Sequence, residues 1–164
     1  MLSKVDRLVG RIEMAAAGTI IAAICCTVLL QVLFRYLFHS PLAWTEELAR
    51  YLQVWLTTIG AAMGVRMGMH FKLDVIHLAI PKHALHYYRA IILLASLLFI
   101  GMLAYYGSVM LETVQRQQSP AMSVSMFYPY LALPVGAGLM GFHVIVQLLQ
   151  ILRGEDRAVD EGSR

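Results

Sequence analysis

Two long stretches of this chain contain no charged residue, and they constrain its fold more than any other feature. Met14 to Phe34 gives 21 consecutive uncharged residues, and Ala90 to Leu111 gives 22. A helix needs about 20 mainly apolar residues to cross the hydrocarbon core of a bilayer. The composition agrees, because 59% of the residues are hydrophobic and only 14% are charged. The sequence therefore predicts a small integral membrane protein.

Two further membrane spans are predicted, with less regular sequences. Residues 117–152 carry no charge, but prolines interrupt this stretch, so a helix is expected only over its second half. Ser40 and Pro41 have the pattern of an N-cap followed by a first-turn proline, which predicts a helix that continues through Val65. The predicted fold class is all-α, with four transmembrane helices in a single membrane domain, residues 1–153. The spans are about 12–34, 42–65, 90–111 and 131–152, and a polar cytoplasmic tail, 154–164, follows them.

Basic residues predict the orientation of these spans. The N-terminus, the loop between the second and third spans, and the C-terminal tail together carry ten of the 13 Lys and Arg residues. Basic residues favour the cytoplasmic side of a membrane protein, so both termini are predicted to be cytoplasmic. The formal net charge of +3 is thereby explained as a membrane anchor, and no nucleic-acid partner is expected.

Glu46, Glu47 and Arg50 form the most informative polar group. On a helix both carboxylates can reach the Arg50 guanidinium, from four and three residues away. Charges at membrane depth are expensive, so they are usually paired or functional. Two interpretations stay open: a solvated pair that ends the span, or a contact with another subunit or with lipid head groups. Arg35 and Trp44 are predicted to belong to the same interface.

Glycines at helical spacing predict close contacts between helices. Gly60, Gly64 and Gly68 lie four residues apart along the second span, and Gly136 and Gly141 give the fourth span a similar face. Small residues let helix backbones approach each other in a membrane. The pattern does not identify the partner helix.

His143 is placed near the middle of the predicted fourth span. We interpret it as a neutral imidazole bonded to a neighbouring helix, because the sequence shows no acidic partner at that depth. A haem site would need two histidines at matched depth, and His77, His83 and His86 lack a recognised metal-ligand spacing. No metal or cofactor is expected in this chain, and no nucleophile–base pair indicates an enzyme.

Four separated motifs occur along the chain in a defined order. They are Gln31-Val32-x-x-Arg35-Tyr36; Ser40-Pro41-Leu42-x-Trp44-x-Glu46-Glu47-Leu48-Ala49-Arg50 with Gly60-Ala61; Arg66 and His70 with Asp74-Val75-Ile76; and Ser119-Pro120-Ala121-Met122-Ser123 with Pro129-Tyr130-Leu131-Ala132-x-Pro134-Val135-Gly136. In this combination the chain resembles the small membrane subunit (Q-type, or DctQ-like) of the tripartite ATP-independent periplasmic (TRAP) transporters.

The resemblance implies a function as well as a fold. Members of the family have four membrane helices with both ends in the cytoplasm, and they act as a small scaffold beside a large, elevator-like membrane subunit. That large subunit carries the substrate and sodium sites, so sodium is expected there and not in this chain. A periplasmic binding protein delivers organic acids such as C4-dicarboxylates or sialic acid. The implied location is the bacterial inner membrane, in contact with lipids and with both partner proteins.

Two other functions stay open at this point. One is a stand-alone small exporter that uses Glu13 for proton coupling, although Glu13 follows Arg11 closely and is expected to be a solvated charge at the cytoplasmic edge. The other is a membrane anchor of a redox complex, in which His143 would bind haem.

Overall fold

Helices account for nearly all of the computed structural model, which describes residues 2–68 and 82–152. They are α1 (Leu2–Tyr36), α2 (Ala43–Arg66), α3 (Lys82–Val114), the single turn α4 (Phe127–Tyr130) and α5 (Ala132–Leu152). Within these residues there is no strand, and the one β-bridge joins Gln118 to Ser125. The all-helical prediction is confirmed. The predicted tail, 154–164, and loop residues 69–81, with His70, Asp74-Val75-Ile76 and His77, lie outside the described residues.

Three segments of these helices are long and apolar enough to span a membrane. They are Val5–Tyr36, Ile91–Val114 and Phe127–Ile151, and they include the predicted first, third and fourth spans. Helix α2 has 24 residues, or about 36 Å at 1.5 Å per residue, which is also long enough. Its composition is more polar, because charged residues stand near both of its ends.

Helix α2 begins later than Ser40 and Pro41 suggest. The backbone at Leu42 is extended, with φ −90° and ψ 102°, and the first helical residue is Ala43. The Ser40 N–H donates to the Phe34 carbonyl at 3.1 Å, so Ser40 is bound to the end of α1 instead of capping α2. The Thr45 hydroxyl, 2.6 Å from the Leu42 carbonyl, fixes the first turn of α2.

Helices α2 and α5 form the centre of the bundle. Helix α1 packs along α2, and α3 packs along α5. Trp55 contacts the backbone near the start of α5, and Val65 contacts Gln147 near its end, so α2 and α5 run in the same direction. We call the side that holds the 37–42 and 115–131 connections the hairpin end. The opposite side, where α1 begins and α2 and α5 finish, is the terminal end.

Helix α3 contacts the bundle through a narrow seam. Its buried positions recur every seven residues, at Leu93, Ile100, Gly107 and Val114. A seven-residue repeat keeps one thin stripe of a helix facing its neighbour. Large apolar side chains elsewhere on α3, and along α1, are exposed. Both flanking helices therefore offer apolar faces to whatever surrounds the bundle.

Candidate functional site

The first turns of α2 carry two neighbouring carboxylates that point in different directions. Glu46 is exposed, whereas Glu47 is buried between α2 and the connection from α3 to α5. Successive residues of an α-helix are about 100° apart around its axis, so one of the pair can face the bundle while the other faces outward. The two carboxylates therefore have different hydrogen-bond partners.

Glu47 is held by four hydrogen-bond donors at the hairpin end. Its Oε2 accepts from the Ser119 hydroxyl at 3.0 Å and from the backbone N–H groups of Ala121 and Met122 at 3.1 and 2.9 Å. Its Oε1 accepts from the Tyr51 hydroxyl at 2.7 Å. Hydrogen bonds to an ionised acceptor are stronger than neutral ones. The carboxylate therefore fixes the turn made by residues 119–123 against α2.

The sequence Ser-Pro-Ala-Met-Ser suits this turn. Pro120 has no N–H of its own, so the two N–H groups that follow it are the ones that reach the carboxylate. The Ser123 N–H donates to the Ser119 carbonyl at 3.1 Å, and Ser123 has a positive φ of 54°. We call residues 119–123 the carboxylate-binding turn.

Two further contacts join α2 to the same region, one and two turns after Glu47. The Trp55 indole N–H donates to the Tyr128 carbonyl at 3.2 Å. The Tyr51 hydroxyl lies 3.4 Å from the Met126 sulfur. Tyr51 and Trp55 follow Glu47 at intervals of four residues, so one face of α2 holds the entire 119–128 segment.

The predicted interface residues divide into two groups. Arg50 donates to Glu46 at 3.0 Å, and both side chains are about two-thirds exposed. Glu47 faces inward to the carboxylate-binding turn, so the expectation that both carboxylates share Arg50 is corrected. Arg35 and Trp44 are exposed at the same end of the bundle. Of the predicted interface residues, the exposed ones that are available for outward contacts are Arg35, Trp44, Glu46 and Arg50.

The predicted packing glycines have different environments. A Cβ atom on Gly136 would lie 2.6 Å from the Thr58 Cβ, so α2 and α5 approach closely there. A Cβ on Gly141 would make an ordinary 3.6 Å contact with Ile100 of α3, whereas Gly60 faces open space. Gly68 lies beyond the end of α2 with a φ of 68°, so it does not extend the helix face. Gly64 lies within α2 and is partly buried.

At the terminal end, His143 lies between two carboxylates of α1. Its Nδ1 is 2.9 Å from Asp6 Oδ1, and its Nε2 is 3.0 Å from Glu13 Oε1. The His143 side chain is fully buried, and the Glu13 side chain is only 3% exposed. The Arg66 Nε donates to the other oxygen of Asp6 at 3.3 Å. We call Asp6, Glu13, Arg66 and His143 the buried quartet.

The buried quartet corrects two expectations from the sequence. Glu13 is not a solvated charge at the edge of the membrane, and His143 does have acidic partners. These carboxylates are 137 and 130 residues away in the chain, which is why inspection of the fourth span alone missed them. The available signal was the spacing of Asp6 and Glu13, because residues seven apart lie on the same helix face.

The two polar sites bind protein groups in this structure. Both ring nitrogens of His143 are engaged by carboxylates, so neither is free for a haem iron. Across residues 2–68 and 82–152, no group of three or more His, Cys, Asp or Glu side chains is arranged to hold a metal ion. The arrangement can connect helices and fix the hairpin end.

Comparison with known proteins assigns a family. The model of the DctQ component of the tripartite ATP-independent periplasmic transporters matches residues 24–154. The chain is 38% identical over 111 residues to the C4-dicarboxylate TRAP transporter small permease protein DctQ of Rhodobacter capsulatus, covering 63% of this chain and 47% of that protein.

Sialic acid transporter proteins are also similar to this chain. Identity to the permease protein SiaT of Haemophilus influenzae is 28% over 139 residues, which cover 85% of this chain and 23% of that protein. Identity to the small permease protein SiaQ of Vibrio cholerae is 23% over 158 residues, covering 93% of this chain and 88% of SiaQ. The chain thus spans about a quarter of SiaT and about half of the Rhodobacter protein.

Proposed function

Since the chain belongs to the DctQ component family of the TRAP transporters, we propose that it is the small scaffold subunit of such a transporter. The match to residues 24–154 carries this proposal. Family membership and three apolar helices make the chain a multi-pass inner-membrane protein. Its proposed work is to support a large membrane subunit during binding-protein-dependent uptake, without an enzymatic reaction of its own.

The proposed topology has four membrane spans and cytoplasmic termini. Helix α2 supplies the second of these spans, since it is long enough and packs against both α1 and α5. Protein neighbours lower the cost of its polar groups, because these find hydrogen-bond partners instead of lipid. Arg7, Arg11 and Arg66 belong to the terminal end, and their positive charge favours the cytoplasmic side.

The outward-facing residues of the hairpin end are proposed to contact partners. Arg35, Trp44, Glu46 and Arg50 are exposed there, while Glu47 keeps the adjoining turn in place. A tryptophan at a membrane–water interface is a common anchor. This surface would meet the large subunit, the periplasmic binding protein or lipid head groups from the periplasmic side.

The proposed substrate class is an organic acid. Similar proteins are named for C4-dicarboxylates, sialic acid and isethionate, all of which carry an acidic group. The proposed coupling ion is sodium, bound in the large subunit. Scaffold function agrees with the apolar outer faces of α1 and α3, which suit contact with another membrane protein or with lipid.

Reconstitution tests this function directly. The full chain would be co-expressed with the large membrane subunit and the binding protein encoded beside it, and the purified complex placed in liposomes. Labelled succinate and labelled sialic acid would be the probes, with an inward sodium gradient or an equal potassium gradient. We expect uptake of one probe, dependent on the binding protein and faster with sodium.

Matched liposomes separate this function from the alternatives. The chain alone and the large subunit alone should both fail to accumulate either probe. Transport by the chain alone would support an exporter and contradict a scaffold function. A haem absorption spectrum in the purified chain, lost on substitution of His143, would support the redox anchor.

A further inference from the structure

In the buried quartet each ring nitrogen of His143 faces a carboxylate oxygen, so the protonation of these groups decides whether the contacts are hydrogen bonds. A carboxylate oxygen is an acceptor, and so is an imidazole nitrogen that carries no proton. The two contacts of His143, at 2.9 and 3.0 Å, are hydrogen bonds only if a proton lies in each. Two protons are therefore shared among Asp6, His143 and Glu13.

This proton count makes the quartet electrically neutral. An imidazolium between two carboxylates, or a neutral imidazole between one carboxylate and one carboxylic acid, has a net charge of −1, and the Arg66 guanidinium beside Asp6 contributes +1. An unbalanced charge in a buried site is costly. The side chains of His143 and Glu13 are 0% and 3% exposed, whereas those of Asp6 and Arg66 are 17% and 23% exposed, so loss of the proton shared by His143 and Glu13 would leave a net negative charge in a dry environment.

A second observation places one of these protons at Glu13. The other carboxylate oxygen of Glu13, Oε2, is buried and has no hydrogen-bond partner. Asp6, in contrast, uses both oxygens, one toward His143 and one toward Arg66. Negative charge on Asp6 is better compensated than negative charge on Glu13. Of the two carboxylates, Glu13 is therefore the one that needs a proton beside it.

We propose that Asp6, His143 and Glu13 form a proton-binding site that holds α1 against α5. One proton lies between Nδ1 and Asp6, and the other lies between Nε2 and Glu13. Helix α1 otherwise packs mainly along α2, so this site is its principal polar link to α5. Release of the second proton would set the Nε2 lone pair against a carboxylate and weaken the link.

Among the residues whose side chains the structure describes, the charged groups that face His143 come from two helices. Helix α1 supplies Asp6 and Glu13, and α2 supplies Arg66 through Asp6. Gln147, one turn after His143, donates to the Val65 carbonyl at 2.6 Å and does not titrate. The proton dependence of the α1–α5 link should therefore follow the triad of Asp6, His143 and Glu13.

Counting the protons in the wild-type chain is the first test. Nitrogen NMR of histidine-labelled protein reports how many ring nitrogens of His143 carry a proton, and infrared spectroscopy reports a protonated carboxyl. Two ring protons, or one ring proton with a carboxyl band that Glu13→Gln or Asp6→Asn removes, would support the proposal. One ring proton with both carboxyls ionised would overturn it.

Thermal unfolding of conservative variants is the second test. In Glu13→Gln the amide N–H replaces the shared proton permanently and keeps the site neutral. As the pH is raised over the range in which the chain stays folded, the Tm of the wild type should fall by about 3–8 °C more than that of Glu13→Gln. Glu46→Gln is the matched control, because Glu46 is exposed, and its pH profile should follow the wild type.

Asp6→Asn completes the set. It leaves Arg66 without its carboxylate and gives the quartet an unbalanced positive charge, so it should lower Tm at all pH values, unlike Glu13→Gln. Equal pH profiles for the wild type and Glu13→Gln would overturn the proposal. If a variant does not fold, the proton count on the wild-type chain still decides the question.

Discussion

Glu47 and Glu46 show how one position along a helix changes the function of the same side chain. Glu46 forms an exposed pair with Arg50, and exposed pairs contribute little to stability. Glu47 instead accepts four hydrogen bonds, three of them from residues 72 to 75 positions later in the chain. The sequence motif contains both carboxylates, but only Glu47 binds the turn that shapes the hairpin end.

Substitution of these two residues should therefore have unequal effects. Glu47→Ala would leave the buried Ser119 hydroxyl and two partly buried N–H groups without an acceptor, which lowers stability. We expect a clear fall in Tm in detergent, faster proteolysis within the carboxylate-binding turn and impaired assembly or uptake. Glu46→Ala is the adjacent control. Its free energy of unfolding should stay within about 0.5 kcal/mol of the wild-type value. Equal falls in Tm for Glu47→Ala and Glu46→Ala would contradict this difference between the two carboxylates.

Tyr51 allows a milder test of the same contact. Tyr51→Phe removes one hydroxyl donor to Glu47 Oε1 and leaves the ring in place. Since Glu47 keeps three other donors, the expected loss of unfolding free energy is about 0.5–1.5 kcal/mol. Tyr128→Phe is a suitable control, because the Tyr128 side chain is largely exposed. Thermal or denaturant unfolding in detergent would measure both.

At the scale of helices, α2 and α5 approach each other closely at Gly136. A Cβ atom added at Gly136 would lie 2.6 Å from the Thr58 Cβ and 3.3 Å from both of its outer atoms. The Thr58 Cβ is attached directly to the backbone of α2, so a rotamer change cannot move it away. The helices themselves must separate to admit a methyl group.

Gly136→Ala should accordingly destabilise the bundle by about 1–3 kcal/mol, the usual cost of overpacking. Gly138→Ala is the matched control on the same helix, since a Cβ there meets nothing within 4 Å, and it should keep or raise stability. Thermal unfolding of the two variants gives the comparison. Wild-type stability in Gly136→Ala would show that α2 and α5 can move apart without cost.

The sequence was sufficient for the helices and insufficient for their polar contacts. Uncharged runs and prolines are local signals, and the helical class that they predict is confirmed. The partners of Glu47 and His143 are 72 to 137 residues distant, and nothing in a local pattern pairs such positions. Ser40 makes no side-chain cap bond to α2, because its N–H bonds to the Phe34 carbonyl at the end of α1, a contact that the Ser-Pro pattern does not show.

For the whole molecule, the proposed orientation can be measured with single cysteines. In a Cys25→Ala, Cys26→Ala background, Gln118→Cys at the hairpin end should react with a membrane-impermeant maleimide from the periplasm. Met67→Cys, at the terminal end, should react only after the inner membrane is permeabilised. Both positions are exposed in the structure. The reverse pattern of labelling would place the termini in the periplasm and contradict the orientation derived from the basic residues.

The pairing of α1 and α2 with later segments also affects how the chain is made. Helices α1 and α2 leave the ribosome first, yet Asp6, Glu13 and Glu47 meet all of their partners only when the 119–123 turn and His143 of α5 have been synthesised. Until then Glu13 lacks its partner, and Asp6 and Glu47 keep only their contacts with Arg66 and Tyr51 of α2. A nascent or truncated chain that lacks α5 therefore differs chemically from a finished one. Chaperones and membrane proteases can use that difference to recognise unfinished molecules.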